Sequence, residues 1–430
     1  MEGLVSSLFD VRSLPETYVL PPEIRPGELS FRPDESNNIP VLDLGGHDRN
    51  EIIKQIMKAS QEFGFFQVIN HGVSKELMDE TMNVVKEFHA MPAKDKFLEC
   101  SKDPNRNCKL YTSSEKYATE EVHYWRDCLM HTALSTEEYM QFWPANPTRY
   151  REVVGTYSNE VKQLGSRILK LISQGLKLSS GYFNGGLSTS PTILINHYPR
   201  CPEPSLTLGL PRHRDPSLIT IILQDHVQGL QVFKDEEWIT VEPLPHAFVV
   251  NIGYVLQIVS NDKLNGAEHR VVTNSSDART TVSFFIYPSS ESIIEPAKAL
   301  VSASSDHPPL YRALKFKDFH VNFLSKSADA EAVHDFRNES ELLKSMEHLQ
   351  VFLMSYDGHY RRCVKKLDLI QLAAYKAGFL SLMPMLKFCY ELGNLKLLSE
   401  PVRLAAERAM LATAKNPKLF CQSVLLTLPP

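Results

Sequence analysis

Between residues 192 and 290 the apolar positions fall in short runs, each cut off by Gly, Pro, Asn or Asp: TILINHYP, LITIILQD, GLQVFKDEEWITVEP, AFVVNIG, VLQIVSN, EHRVVTN and RTTVSFFIYP. Runs of this length with period-two alternation read as strands, and so many in close succession predict a β-sandwich or jelly roll. Upstream the period changes. IPVLDL (39–44) and FFQVINHG (65–72) alternate as strands, whereas RNEIIKQIMKASQEFG and SKELMDETMNVVKEFHAM repeat at helical spacing, the second behind a Ser74 cap. Residues 39–147 thus form an N-terminal α/β unit, in which the polar stretch 101–147 gives no clear element. A long amphipathic helix in TRYREVVGTYSNEVKQLGSRILKLISQG, with Ile168, Leu169, Leu171 and Ile172 on its packed side, opens a catalytic-domain candidate over 148–336. PLYRALKFKDFHVNFLSKS gives one more helix. Residues 1–38, rich in Pro and charge, read as an extended arm. The expected fold is mainly β with flanking helices.

Residues 337–430 have a different pattern. ESELLKSMEHLQVFLMS, KKLDLIQLAAYKAGFLSLM and PVRLAAERAMLATAK are amphipathic helices broken by Gly358, Pro384, Gly393 and Pro401, forming a helical C-terminal extension. It reads either as an interaction module for a protein partner or as an appended sequence without function.

Composition narrows the class. Across 430 residues, 43% are hydrophobic and 23% charged, as in ordinary globular proteins. With 46 Lys plus Arg against 51 acidic residues, net charge −5, there is no electrostatic argument for nucleic acid or an anionic membrane as partner. The seven cysteines are scattered without a C-x-x-C pair, which favours free thiols in a reduced compartment. Glu2 stands where a secretory leader needs positive charge, and the most apolar stretch, 373–390, contains Lys376, Pro384 and Lys387. A cytoplasmic protein is expected.

The candidate chemistry lies in the strand-rich region. GLPRHRDPS places His213 and Asp215 two apart, so that on a strand they share a face while Arg212 and Arg214 take the other. That tripeptide alone equally describes a surface ion pair, and His269 in AEHRVV alone equally describes a core histidine. Together, two histidines and one carboxylate make the facial triad that suits iron(II) and leaves coordination positions open for substrate and dioxygen. A structural zinc site would want a closed set of four ligands, and no such set is spaced for it. Arg279, on the next strand, offers a planar fork for a carboxylate. Thr281, Ser283 and Phe285 share its face.

With these residues in view, HRD (213–215), HRVV (269–272), ARTT (278–281) and NHYPRCPEP (196–204), joined by GFFQVINHG (64–72) and WRD (125–127), resemble the plant soluble 2-oxoglutarate- and iron(II)-dependent dioxygenases. The likeness runs from about residue 10 to 336 and is greatest to the hyoscyamine and flavanone hydroxylase branches. It implies a double-stranded β-helix in which His213, Asp215 and His269 bind Fe(II). It also implies that Arg279 and Thr281 hold the far carboxylate of 2-oxoglutarate, with Asn196 and Tyr198 lining the pocket and Phe285 stacking on a small-molecule substrate. Dioxygen is the other co-substrate, and ascorbate is admitted as a reductant. The implied activity is hydroxylation of a small specialised metabolite with release of succinate and carbon dioxide. An ascorbate-dependent oxidase of the ethylene-forming type and a non-catalytic jelly-roll binding protein are the alternatives. Three positions depart from the family pattern: Thr281 where Ser is usual, Tyr254 where an acid is usual, and Arg214 in place of a small hydroxyl residue.

Overall fold

The structure, a computed structural model, describes residues 3–8, 11–26, 38–100, 108–301, 308–325 and 336–338. The strands are β1 (Val41–Asp43), β2 (Phe65–Ile69), β3 (Cys108–Thr112), β4 (Asp127–Thr132), β5 (Ser190–Tyr198), β6 (Leu208–His213) and β7 (Ile219–Gln224). They continue as β8 (Leu230–Lys234), β9 (Glu237–Thr240), β10 (Phe248–Ile252), β11 (His269–Val272), β12 (Arg279–Tyr287), β13 (Ile293–Ile294) and β14 (Leu314–Lys315). The helices are α1 (Arg49–Glu62), α2 (Lys75–Ala90), α3 (Ala93–Glu99), α4 (Glu137–Met140), α5 (Tyr150–Gly175), α6 (Tyr254–Val259) and α7 (Phe316–Ser325).

Two sheets make the jelly roll. The major sheet runs β1-β2-β10-β7-β12-β5-β4-β3 and the minor one β6-β11-β8-β9, almost all antiparallel. The strands of residues 39–147 therefore lengthen the major sheet at both ends. Asp48 and Ser74 cap α1 and α2 by accepting from backbone N–H groups of the first turn. Helix α5 lays Ile168, Leu169, Leu171 and Ile172 into the main core, as its period predicts. Gly64 ends the α1 region at φ +67, and a Cβ there would lie 2.3 Å from Asn265 O, so the entry to β2 requires glycine.

Two expectations need correction. VLQIVSN, read as a strand, forms α6. Every residue of that helix is buried, so no polar face marks its period, and its first N–H, from Tyr254, donates to Asp215 O at 2.8 Å. The arm is not simply extended, because short 3-10 turns fall at Val5–Leu8, Glu16–Tyr18 and Pro22–Ile24. GLQVFKDEEWIT forms the β8–β9 hairpin, turning through Asp235 and Glu236 with φ 50 and 68. The helical reading of 339–430 lies outside the described residues.

The arm is fastened by the WRD tripeptide and its surroundings. Val5, Leu14 and Tyr18 pack with Trp125 and Cys201. The buried Asp127 carboxylate accepts from Val5 N and Ser6 N at 2.8 and 2.9 Å. At the other end, Phe336 packs on Phe319 of α7 and Arg337 pairs with Asp262.

These last contacts generate a prediction. A chain ending at Asn338 is expected to keep the thermal transition of the barrel. One ending at Ser325 should lose about 3–5 kcal/mol with the burial of Phe336. Insolubility of the longer chain would show that later residues help close the core.

Candidate metal centre

His213 stands at the last position of β6 and His269 at the first of β11, directly paired across the minor sheet. Their ring centroids are 4.1 Å apart. Asp215 lies just beyond β6, in the turn to β7, rather than on the strand. Its Oδ1 is 3.5 Å from His213 Nε2 and 3.7 Å from His269 Nε2. One ligand atom from each of the three residues falls within 4.8 Å of the other two, and no other such cluster exists among the described residues.

The surrounding bonds fix how these atoms are presented. His213 Nδ1 lies 2.8 Å from Pro211 O, and His269 Nδ1 lies 3.2 Å from Ala267 O. A carbonyl oxygen only accepts, so each Nδ1 carries a proton and each Nε2 is the ring nitrogen that faces Asp215. Thr220 Oγ1 and Asn251 Nδ2, neighbours across β7 and β10, donate to Asp215 Oδ2 at 2.5 and 2.6 Å. Burial alone would raise the Asp215 pKa, but His269, His213 and the Thr220 bond outweigh it and hold the group down at about 2. Burial, reinforced by His213, lowers His269 to about 4. At neutral pH Asp215 is therefore ionised and His269 neutral, the forms that bind a metal. Phe65 of β2 meets the His269 ring edge-on at 5.1 Å.

Arg212, on β6, and Arg214, just beyond it, both reach Glu268. The Arg214 guanidinium also lies 5.5 Å from the centre of the Tyr254 ring. Two of the departures from the family pattern thus meet one another. Arg214 sits against an anion and an aromatic face, and its charge also bears on His269.

On β12, alternate residues line the barrel interior from Arg279 to Tyr287. Arg279 pairs across β5 with Tyr198, and Thr281 pairs with Asn196 on one side and Gln224 on the other. The Arg279 guanidinium is 2% exposed and touches no carboxylate. Its Nε donates to Val227 O and its Nη2 to Gln224 Oε1, each at 3.0 Å. Burial lowers its pKa, opposed by Tyr198 and Asp225. A Cβ at position 229 would fall 3.0 Å from Arg279 Cδ, so Gly229 makes room for the arginine stem. Gln224 Nε2 is buried without a partner. Arg126 of the WRD tripeptide is a second buried cation, donating from Nη1 to Asn196 Oδ1 at 3.1 Å. Two buried guanidinium groups and one orphan amide fit a ligand carboxylate. Phe285, also buried, stacks on Tyr287 at 5.5 Å and 9°, and Tyr287 reaches His320 of α7 at 5.9 Å.

Sequence reasoning missed Thr220, Asn251, Gln224 and the inward role of Arg126. The first three are recognisable only once strand pairing is known, whereas WRD was legible as a motif without showing what each residue does.

Residues 189–288 match the model of the 2OG-Fe(II) oxygenase superfamily. Residues 39–146 match that of the non-haem dioxygenase in morphine synthesis N-terminal region. The chain is 41% identical to hyoscyamine 6-dioxygenase of Hyoscyamus niger, over 76% of this chain and 96% of that one. It is 39% identical to flavanone 3-dioxygenase 2 of Oryza sativa subsp. japonica, over 74% and 92%. The crystal structure of JOX2 in complex with 2OG, Fe and JA superposes with a TM-score of 0.69 at 36% identity, covering 79% of this chain and 98% of JOX2. The chain belongs to the 2OG-Fe(II) oxygenase superfamily. It is an oxidoreductase that uses Fe(II), 2-oxoglutarate and dioxygen. Among the described residues no helix is long and apolar enough to cross a membrane.

Thr220→Val keeps the shape of the side chain and removes one donor to Asp215. Iron(II) affinity, read by anaerobic titration, is expected to fall roughly 10–100-fold, and unchanged affinity would show that Asn251 alone suffices.

Proposed function

We propose that the chain hydroxylates a small, largely apolar plant specialised metabolite, of the alkaloid or flavonoid kind, with His213, Asp215 and His269 holding the iron. The observation that carries this reading is the convergence of two imidazole nitrogens and one carboxylate oxygen from separate elements, with no cysteine and no fourth protein ligand among the described residues. When bound, iron(II) activates dioxygen at the expense of 2-oxoglutarate, which leaves as succinate and carbon dioxide. The protein's part is to bind and orient. Arg279 and Thr281 take the far carboxylate of 2-oxoglutarate, Gln224 adds its unpartnered amide, and Arg126 keeps Asn196 turned toward the same pocket. Phe285, backed by Tyr287, offers an aromatic face to the organic substrate. The substrates in the names of the two dioxygenases similar to this chain, hyoscyamine and flavanone, support the choice of class.

The reading extends to the setting of the enzyme. The protein acts in the cytoplasm on a freely diffusing small molecule, without nucleic acid or membrane as partner, and residues 337–430 serve as a docking segment for another protein. The acidic balance of the chain supports the first part.

Two substitutions test the site. Asp215→Ala leaves two neutral imidazoles to hold a divalent cation, and is expected to abolish both iron binding and succinate release while the fold persists. Arg279→Lys exchanges a fork for a point charge and should raise the 2-oxoglutarate requirement by about 1.5–3 kcal/mol, far more than that for the organic substrate. Equal effects on both would place Arg279 outside the co-substrate pocket. A wild-type protein that never turns 2-oxoglutarate into succinate would sink the proposal as a whole.

A further inference from the structure

Behind the barrel wall, on the face opposite the triad, the buried Asp225 carboxylate makes bonds that belong to no residue assigned a role so far. Oδ1 accepts from Val227 N at 3.0 Å. Oδ2 accepts from Thr280 N at 2.9 Å and pairs with Lys86 Nζ of α2 at 3.0 Å. The backbone N–H of Asp225 itself donates to Thr280 O. Both clamped residues bear on Arg279. Thr280 is its chain neighbour and fixes the root of the side chain, while Val227 supplies the carbonyl that accepts from Arg279 Nε.

We propose that Asp225 is a positioning residue for co-substrate recognition: it locks the β7–β8 turn to the start of β12, so that the Arg279 fork is aimed before 2-oxoglutarate arrives. The inference rests on the reading of Arg279 given above. A carboxylate in direct contact with Arg279 would compete with the ligand for the fork. Asp225 instead supplies negative charge from behind a peptide unit, which supports the cation and leaves its outer edge for an incoming carboxylate. Lys86, more than a third exposed, keeps Asp225 itself from being a buried lone anion.

The alternative is that Asp225 merely staples two strands, and the two roles differ in what they predict for ligands with and without a distal carboxylate. Binding of 2-oxoglutarate and of 2-oxobutyrate, which lacks that carboxylate, can be measured calorimetrically on the full-length protein loaded with Mn(II) to prevent turnover. Wild type should prefer 2-oxoglutarate. Asp225→Asn should cut that preference on the order of ten-fold, with 2-oxobutyrate and Mn(II) affinities unchanged. In an Arg279→Lys background the same change should add little, because the group through which Asp225 acts is already gone. Should Asp225→Asn fail to fold, Asp225→Glu, which keeps the charge and the Lys86 pair but whose longer arm cannot sit on both Val227 N and Thr280 N, is expected to reduce the same preference. Parallel losses for both keto acids, additive losses in the Arg279→Lys background, or an unaltered preference would each overturn the inference while leaving the reading of Arg279 intact. A wild type that does not distinguish the two acids would overturn both.

Discussion

A carboxylate withdrawn from water survives in a protein only where donors and cations surround it, and the burial of Asp215 is the constraint around which this molecule is arranged. Three parts of the chain must meet to satisfy it. The side chain takes donors from β7 and β10 of the major sheet and faces two histidines from the minor sheet, while its backbone carbonyl receives the first N–H of α6. The two sheets are thereby pinned together at one point. The surroundings by themselves keep the Asp215 carboxylate ionised and the His269 imidazole neutral.

The opposite electrostatic problem is set at the first residue of β12 and just before β4. Arg279 and Arg126 are cations in a dry interior with only neutral partners in contact. Such groups are costly to keep, and their cost is reduced when an anion of the right shape enters. Phe285 and Tyr287 extend the same interior face toward α7, away from Arg279.

Much of this was legible in the sequence because alternation turns spacing into direction. The strand runs from TILINHYP to RTTVSFFIYP and the inward set beginning at Arg279 follow from period two. What failed was whatever depends on burial from every side or on contact between distant strands. VLQIVSN is a helix because its surroundings, not its periodicity, select one. Asn251 and Thr220 look like ordinary strand residues until β10 is laid beside β7. Asp215 sits in a turn, so its convergence with His213 owes as much to the bonds of Thr220, Asn251 and Tyr254 as to any strand geometry. The stretch 101–147 gave no element because β3 and β4 carry buried polar groups, Thr112, Asp127 and His131 among them, with buried Arg126 just before β4, and these break the apolar pattern.

The docking of the arm has a consequence for the buried Arg126. Trp125, against which Val5, Leu14 and Tyr18 pack, immediately precedes Arg126, and its indole N–H is spent on Pro199 O, one residue past Tyr198. Leu20 packs on Leu208 and Val272 close by. The arm thus covers Trp125 beside Arg126 and thickens the apolar surroundings of that guanidinium, which lowers the local permittivity. Charge attraction scales inversely with that quantity. A segment more than a hundred residues away in the chain in this way strengthens every charge interaction that the buried Arg126 makes, by what it keeps out.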